Sequence, residues 1–369
     1  MRIRVSLLAL LCLTVLIIST GCGTKKEVAK PVKFEVTHLS KSTGLPEENI
    51  TSLVAFAGKI WAGSRKGLYA YDGVNWAIYQ AKNVNSLGSN IIENLTVHDN
   101  KLWVATDNGA CYNDGNRFMS FFTNGRARAC IGAGGEVIVG TANGIVLNSS
   151  SRGKNDGLVE NEVTELCYDS KGNLVIGTRA GISKLEQDMF MNFTGPAKTL
   201  MGSSLIEVPP SPANCQLSGN NIKVLLPFKN FVAIGSTCGL TLTDLKGRWE
   251  TYKSAYEDFV QKGDGSIVKE MIEGNCDMPG NIVNSLAKTD GDEILFVGTD
   301  KGLAILLEDK KWADIDLLVP ELPKINVTGV AFLNNDLFVS SGSGIYKVKD
   351  IGNLVKKVDK EKTNDTETL

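Results

Sequence analysis

The stretch Asn161-Glu-Val-Thr-Glu-Leu-Cys-Tyr-Asp-Ser-Lys-Gly-Asn-Leu-Val-Ile-Gly-Thr-Arg-Ala-Gly181 decides the fold, because its parts recur along the chain. The most regular part is its end, where an apolar strand leads into a small Gly-Thr pair and a closing glycine. Seven such endings occur, at Trp61–Gly67, Trp103–Gly109, Ile138–Gly144, Val175–Gly181, Ala233–Gly239, Phe296–Gly302 and Phe338–Gly344. Their closing glycines are 42, 35, 37, 58, 63 and 42 residues apart, so the chain is built from repeats.

Each repeat predicts four short strands. An apolar strand precedes most of the endings, and another strand follows the closing glycine. In five repeats an aromatic residue begins a fourth strand nine or ten residues after that glycine; these are Trp76, Phe118, Phe190, Trp249 and Trp312. A period of about 40 residues with four strands is typical of the blades of a β-propeller.

We therefore predict an all-β protein with a single seven-bladed β-propeller of four-stranded antiparallel blades over residues 34–350. One blade alone would leave two open edges and bury little apolar surface, whereas a ring of blades buries their faces against each other. The seventh repeat lacks its own fourth strand, so the N-terminal strand at about 34–39 is predicted to complete the last blade. The small Gly-Thr and Gly-Ser pairs are expected to let neighbouring blades approach closely. Residues 149–153 have the composition of a loop, which leaves the outer strand of the third blade in question.

Residues 1–21 have the features of a lipoprotein signal peptide. Arg2 and Arg4 precede an apolar run, Val5–Ile18, that is too short to span a membrane comfortably. The sequence Ser19-Thr-Gly-Cys22 resembles the lipobox of bacterial lipoproteins, which implies cleavage before Cys22, acylation of that cysteine and attachment to a membrane. Gly23 implies the outer membrane, facing the periplasm. Ordinary secretion with an incidental cysteine is the alternative.

The segments at the two ends of the propeller are polar. Residues 22–33 are predicted to be the lipidated cysteine and a short tether. Residues 351–369 are charged and have no hydrophobic periodicity, so they are predicted to form a disordered tail.

The repeat also resembles a known family. The pattern Asn-x-Val-x-x-Leu at Asn161–Leu166, followed by Gly177, Thr178 and Gly181, is similar to the two-component regulator propeller repeat. Leu45-Pro46, which leads into the first blade, resembles it as well. The resemblance implies a ligand-sensing propeller of the periplasm, and hence a binding or sensing role, without indicating the ligand.

The composition argues against several classes of function. The chain has 39 Lys and Arg against 41 Asp and Glu, a net charge of −2, so no basic excess is available for a phosphate backbone. Two histidines in 369 residues make a His-based metal centre or a Ser-His-Asp triad hard to build. No phosphate-binding loop or dinucleotide fingerprint occurs. We expect no catalytic residue, metal site, cofactor or nucleic-acid partner.

Three cysteines are predicted to lie near one face of the ring. Cys238 occupies a turn between a second and a third strand, while Cys215 and Cys276 stand in crossings between blades. An exported, oxidising compartment permits disulfides, and one across a loop of this size could add about 3–4 kcal/mol. We predict that Cys238 bonds either to Cys215 or to Cys276, and the sequence leaves both pairings open.

The excess length of the chain lies in two crossings, residues 195–219 and 253–279. Within the second, Ala255–Gln261 and Ile267–Glu273 have the composition of short helical turns. Long ordered loops are often functional, so the face that carries them is a candidate site for a ligand or partner, with simple packing as an equal alternative. Charged turn residues expected on this face, which by default are only solvated, are Arg65, Lys66, Asp107, Arg179, Asp300 and Lys301.

These features favour a non-enzymatic, lipid-anchored protein of the bacterial cell envelope. Its partners would be the membrane, through the lipid, and a small molecule, glycan or protein at the face described above. The alternative is a scaffold or assembly subunit of an envelope complex. A lyase or hydrolase with a site on the ring axis is a third reading, since propellers can host active sites there.

Overall fold

The computed structural model describes residues 33–122, 125–196, 198–201, 204–207 and 213–354. The predicted signal peptide, Cys22 and the tether up to residue 32 lie outside the described residues. The lipid anchor therefore stays a prediction.

Seven antiparallel sheets follow one another along the chain. A closing strand, β1 (Val36–Leu39), comes first. Blades 1 to 3 consist of β2 (Ile50–Phe56), β3 (Lys59–Ser64), β4 (Leu68–Tyr71), β5 (Trp76–Tyr79), β6 (Ile92–His98), β7 (Lys101–Thr106), β8 (Gly109–Asn113), β9 (Phe118–Phe122), β10 (Ala129–Ala133), β11 (Glu136–Thr141), β12 (Gly144–Leu147) and β13 (Ser150–Arg152). Blade 4 consists of β14 (Val163–Tyr168), β15 (Leu174–Thr178), β16 (Gly181–Glu186) and β17 (Met189–Phe193).

Two extra hairpins interrupt the second half of the ring. They are β18 (Lys198–Met201) with β19 (Ser204–Glu207), and β24 (Tyr256–Gln261) with β25 (Ile267–Ile272). Blades 5 to 7 consist of β20 (Ile222–Phe228), β21 (Phe231–Ser236), β22 (Gly239–Thr243), β23 (Trp249–Tyr252), β26 (Val283–Lys288), β27 (Ile294–Thr299), β28 (Gly302–Leu307), β29 (Gly329–Leu333), β30 (Asp336–Ser341) and β31 (Gly344–Val348). The short helical elements are Lys41–Thr43, Asn85–Leu87, Lys154–Asp156, Ile351–Asn353 and α1 (Ile315–Leu318).

The ring closes as the sequence predicts. Strand β1 pairs with β31 in antiparallel register, Val36 opposite Val348 and Leu39 opposite Ile345, so the N-terminal strand is the outer strand of the last blade. Phe34, just before it, is buried in the apolar cluster of blades 6 and 7. The seven-bladed all-β fold is thereby confirmed.

The core lies between neighbouring blades, and the small pairs explain how closely the blades pack. A Cβ atom built on Gly177 of blade 4 would lie 2.7 Å from Cγ2 of Ile222 in blade 5. Blades 1, 3, 5 and 6 show the same relationship, with the next blade's Ile or Val filling the space that a side chain would take; the pairs are Gly63 with Ile92, Gly140 with Val163, Gly235 with Val283, and Gly298 with Val327. The close approach predicted for these glycines is confirmed.

The Thr or Ser that follows the small residue at the end of a second strand stabilises the next turn through hydrogen bonds to its backbone. Thr178 Oγ1 donates to the carbonyl of Gly181 over 2.8 Å and accepts the N–H of Ala180 over 3.1 Å. The same two bonds are made by Ser64, Thr106, Thr141, Ser236 and Thr299. These side chains satisfy backbone groups of a tight turn, which explains why Thr or Ser recurs there.

Four regions differ from the sequence-based expectations. Residues 150–152 do pair with β12 as an outer strand, so blade 3 is complete. In blade 6 the fourth strand is reduced to a single bridge between Leu306 and Trp312, because the chain turns at Asp314 into α1. The helical turns predicted in the second long crossing are wrong, since β24 and β25 form a hairpin. Residues 351–354 belong to the folded ring, with Ile351 and Leu354 buried, rather than to a tail.

The hairpin of the second crossing has a local cause. Its alternating sequence contains the strand formers Phe259, Val260 and Val268, and its turn contains Gly265 at φ 86°, which suits glycine. The N–H of Lys262 donates to the carbonyl of Ser266 over 2.8 Å and closes the turn.

Candidate functional site

One face of the ring carries both the blade crossings and the turns between second and third strands. In blades 2, 5 and 6 a hydrogen bond joins such a turn to the residue that leads into the first strand of the same blade, as from Asp107 N to Ile91 O (3.2 Å) and from Asp300 N to Ile282 O (3.0 Å). We call this the crossing face, and the opposite one, with the remaining hairpin turns, the hairpin face. The two extra hairpins arise from crossings and thus belong to the crossing face.

A channel along the ring axis is lined by the first strands of the blades and has a volume of about 630 Å³. Its mouth on the crossing face is formed by the second residue of each first strand, or by its equivalent. These seven residues, which we call the mouth ring, are Thr51, Glu93, Arg128, Thr164, Lys223, Asn284 and Thr328.

Backbone irregularities place the mouth ring. In five blades the pairing between first and second strands shifts by one residue at this position, as between Val163 and Glu165 of β14. A bulge of this kind leaves one residue outside the ladder and re-aims its side chain. The hydroxyl of Thr328 then donates to Ile50 O (2.6 Å), and the amide of Asn284 donates to Val327 O (3.0 Å), which ties each of these blades to the next.

Charged residues of blades 2 to 4 form a network beside the mouth. Arg126 donates to Glu93 over 2.9 Å, and Glu162 binds both Arg128 (2.6 Å) and Arg179 (3.1 Å). The hydrogen bond that Arg126 donates to Glu93, the charge of Glu93 and the more distant carboxylates of Asp107 and Glu162 raise the pKa of Arg126 above its usual value. Three carboxylates thus face three guanidinium groups, and the network has no net charge.

Several polar atoms at this end of the channel have no hydrogen-bond partner although they are buried. In the described part of the chain these include Oγ1 of Thr164, Nε of Arg128, Oγ of Ser52 and Oδ1 of Asp107. Burying such a group without a partner costs free energy, so its position calls for an explanation such as a bound water or ligand.

Glu165 lines the channel directly below the mouth ring. Its side chain is buried, accepts a hydrogen bond from Asn94 Nδ2 (2.8 Å) through Oε2 and from the N–H of Leu166 (3.0 Å) through Oε1. Burial raises the pKa of Glu165 to about 7, despite the two hydrogen bonds that lower it. A carboxyl group in the channel therefore exchanges its proton near neutral pH.

An aromatic pair lines the other end of the channel. The rings of His98 and Tyr168 stack with centroids 4.7 Å apart, across the inner strand of blade 3. Burial lowers the pKa of His98 and raises that of Tyr168, so both are neutral at pH 7.

The six predicted face residues divide into two groups. Asp107 and Arg179 belong to the network beside the mouth, on blades 2 and 4. The other four lie on turns of blades 1 and 6, outside this network. Lys66 pairs with Glu47 (2.7 Å), and Asp300 accepts a hydrogen bond from the N–H of Ile282 (3.2 Å). Arg65 and Lys301 are exposed.

The three cysteines of the predicted disulfide are unpaired in the structure, and the bond stays a prediction that a chemical experiment must test. Cys215, Cys238 and Cys276 are free thiols in the structure. Cys215 packs in the cluster between blades 4 and 5, Cys276 packs in the cluster between blades 5 and 6, and the exposed Cys238 lies against Gly219. Cys130 is a buried free thiol in the core between blades.

Two kinds of feature are absent from the described residues. These residues contain no group of three or more His, Cys, Asp or Glu side chains placed to hold a metal ion. Likewise, no helix within those ranges has the length and apolar character to cross a bilayer.

The mouth ring and Glu165 were not predicted from the sequence. Their residue types vary from blade to blade, so the repeat pattern hides them. The one available signal was position. Five of the seven residues directly follow the apolar residue that opens a first strand, and Arg128 and Thr328 directly precede the first strands of their blades.

Solved structures of known proteins share this architecture. The extracellular domain of BT4673 from B. thetaiotaomicron, named a hybrid two component system, superposes with a TM-score of 0.58 at 18% identity, over 86% of this chain and 39% of that one. The corresponding domain of BT3049 gives 0.57 at 17%, over 86% and 42%. Virginiamycin B lyase from Staphylococcus aureus gives 0.54 at 11%, over 86% and 99%.

The likeness shows the fold. This chain spans about two fifths of the two-component system domains it matches. Because a lyase shares the fold with these domains, the fold alone does not indicate the activity. No protein-family model and no curated protein matches the chain.

Proposed function

We propose that this protein is a ligand-binding propeller of the bacterial cell envelope, anchored by a lipid on Cys22, and that it binds a small molecule, a glycan or part of a protein without chemical conversion. The binding site is the mouth of the axial channel on the crossing face, in the sector of blades 1 to 4. The observation that carries the proposal is the set of buried, unpartnered polar atoms that surround this mouth.

The chemistry of these atoms suggests what the ligand offers. Nε of Arg128 is a donor, Oδ1 of Asp107 is an acceptor, and the hydroxyls of Thr164 and Ser52 can act as either. The charges of Arg128 and Asp107 are already balanced within the network. An uncharged ligand with several hydrogen-bonding groups would therefore satisfy the site better than an ion.

The binding test uses the soluble chain from residue 23 onward and a panel of neutral sugars, amino acids and short peptides. We expect at least one compound to raise the melting temperature of the protein. Thr164→Val and Arg128→Gln should each lower the affinity for that compound by about tenfold, since each variant removes one hydrogen bond. Thr37→Val, an exposed change on β1, is the control and should bind normally. Binding that survives both mouth variants would place the site elsewhere.

A pull-down from detergent-solubilised envelopes distinguishes the proposed binding protein from the alternative, a scaffold subunit of an envelope complex. A stoichiometric protein partner, captured equally by the mouth variants, would favour a scaffold subunit over the proposed binding protein. Lipid attachment is tested separately by metabolic labelling with palmitate, which Cys22→Ala should abolish.

Glu165 favours a second candidate, a lyase or hydrolase with its site on the axis. A carboxyl group with a pKa of about 7 in a channel is suited to give or take a proton at neutral pH. Turnover of any compound that binds, lost in Glu165→Gln while binding is kept, would establish this candidate in place of the first.

A further inference from the structure

A second cleft lies on the hairpin face, between blades 4 and 5. It has a volume of about 220 Å³. Its walls are the first hairpin turn of blade 4 (169–172), the first hairpin turn of blade 5 (229–231) and the outer hairpin turn of blade 5 (244–248). The cleft is therefore far along the strands from the mouth ring and independent of the proposed ligand site.

Two aspartates hold the turns of this cleft in place. Asp169 Oδ1 accepts the backbone N–H groups of Lys171 and Asn173, each over 2.9 Å. Asp244 Oδ1 accepts the N–H groups of Lys246 (2.9 Å), Gly247 (3.1 Å) and Arg248 (3.0 Å). Both carboxylates are thus engaged with backbone amides, and the turns that carry the two lysines are fixed.

The two lysines on these turns both line the cleft. The ammonium group of Lys246, followed by that of Lys184, lowers the pKa of Lys171. Within the ranges that the structure describes, neither Lys171 nor Lys246 has a carboxylate within 4.0 Å. Two ammonium groups in one cleft repel each other. An anion bound between them would replace this repulsion with two attractions.

The charge of a third acidic residue, Glu186, partly offsets the lowering of the pKa of Lys171, and this carboxylate is already paired with another lysine. Glu186 Oε2 lies 2.6 Å from Nζ of Lys184, which is almost fully buried, and Asp169 Oδ2 lies 3.8 Å from the same atom. Lys184 thus takes up the charge of Glu186 at the side of the cleft. Ser170 and Asn230 line the cleft as well and supply neutral donors.

We infer that this cleft binds a phosphate group, held between the ammonium groups of Lys171 and Lys246 with Ser170 and Asn230 completing the contacts. The phosphate belongs to a free phosphate or phosphate ester, or to the headgroup of a phospholipid. The cavity exceeds the size of the anion alone, which leaves room for the first atoms of an attached group.

The first experiment titrates inorganic phosphate into the soluble chain at low ionic strength and follows the heat or the amide chemical shifts. We expect saturable binding in the range up to about 10 mM, as for a site with few contacts. Lys171→Gln and Lys246→Gln should each weaken it by about tenfold, because each removes one charge-assisted hydrogen bond. Lys82→Gln, which alters an exposed lysine on the crossing face, is the matched control.

Unchanged melting temperatures would show that the variants fold. Absence of saturable binding, or equal binding by wild type and the Lys171→Gln/Lys246→Gln double variant, would overturn the inference. The result is independent of the channel, since Thr164→Val should bind phosphate normally.

A second experiment distinguishes the two sources. The soluble chain, which lacks the lipid, is sedimented with vesicles of phosphatidylglycerol or of phosphatidylcholine. Sedimentation with the first alone, lost in the double variant and competed by phosphate, would identify a phospholipid headgroup. Phosphate binding without sedimentation would identify a free phosphate or phosphate ester.

Discussion

Asn94 of the second blade donates a hydrogen bond of 2.8 Å to Glu165 of the fourth, across the inner strand of the third. Blades 2 and 4 thus share one polar contact inside the channel. The acceptor is the Glu165 carboxyl group, and burial raises its pKa to about 7.

The burial of the Glu165 carboxyl group makes the stability of the ring depend on pH. The pKa of Glu165 is about 7 in the folded state against 4.5 for the free side chain, so folding favours the protonated form. The stabilisation is present in full below pH 4.5 and is lost as the pH rises through 7. By linkage the loss is on the order of 3 kcal/mol. We expect Glu165→Gln to match the wild type near pH 5 and to be more stable at pH 8, in urea unfolding at both values.

The exposed Glu273→Gln is the control for this prediction and should leave the pH profile unchanged. Parallel profiles for wild type and Glu165→Gln would show that Glu165 titrates normally.

Gly177 should not tolerate a side chain. A Cβ atom there would lie 2.7 Å from Ile222 Cγ2 and 3.2 Å from its Cβ, both part of a packed interface between blades. We expect Gly177→Ala to lower the free energy of unfolding by about 1–3 kcal/mol through overpacking. Gly247→Ala, where nothing lies within 4 Å of the added atom, should change it by less than about 0.5 kcal/mol. Equal effects of the two substitutions would contradict the proposed packing.

Phe34 should contribute strongly to closure. It is buried among the residues of blades 6 and 7, and its N–H donates to Leu318 O over 2.9 Å. We expect Phe34→Ala to cost about 3–5 kcal/mol of unfolding free energy, as for other buried aromatic residues. The control is the same substitution at Phe259, a residue of the hairpin β24–β25 that is 41% exposed. Phe259→Ala should lower the free energy of unfolding much less. A small effect at Phe34 would mean that the ring closes without it.

The thiols should differ in reactivity in the order of their exposure. Cys238 is exposed, whereas Cys111, Cys130 and Cys167 are buried, and burial raises the pKa of Cys111 to about 12. We expect iodoacetamide to modify Cys238 rapidly in the native protein and the three buried thiols only after unfolding. A Cys238 that reacts only after reduction, with a linked peptide to Cys215 or Cys276, would establish the predicted disulfide instead.

Much of the ring could be predicted from the sequence because its determinants are local and repeated. Gly177 and Thr178 serve packing and turn geometry at the same place in each unit, so they recur visibly. The hairpin β24–β25 was mistaken for helical turns because a non-repeated segment offers no second copy for comparison. The mouth ring was missed for the opposite reason, since Thr164, Lys223 and Asn284 share a position but no chemistry.

The amino-acid sequence alone determined the number of blades, the strand that closes them and the close approach of neighbouring blades. These follow from short-range patterns of apolar, small and turn residues, each read within about ten positions. Only the tertiary structure decided which side chains meet: Asn94 with Glu165, Arg128 and Arg179 with Glu162, and Lys171 and Lys246 at one cleft. Such pairs come from different strands or blades, and the curvature of the ring, which no local pattern encodes, sets the distance between them.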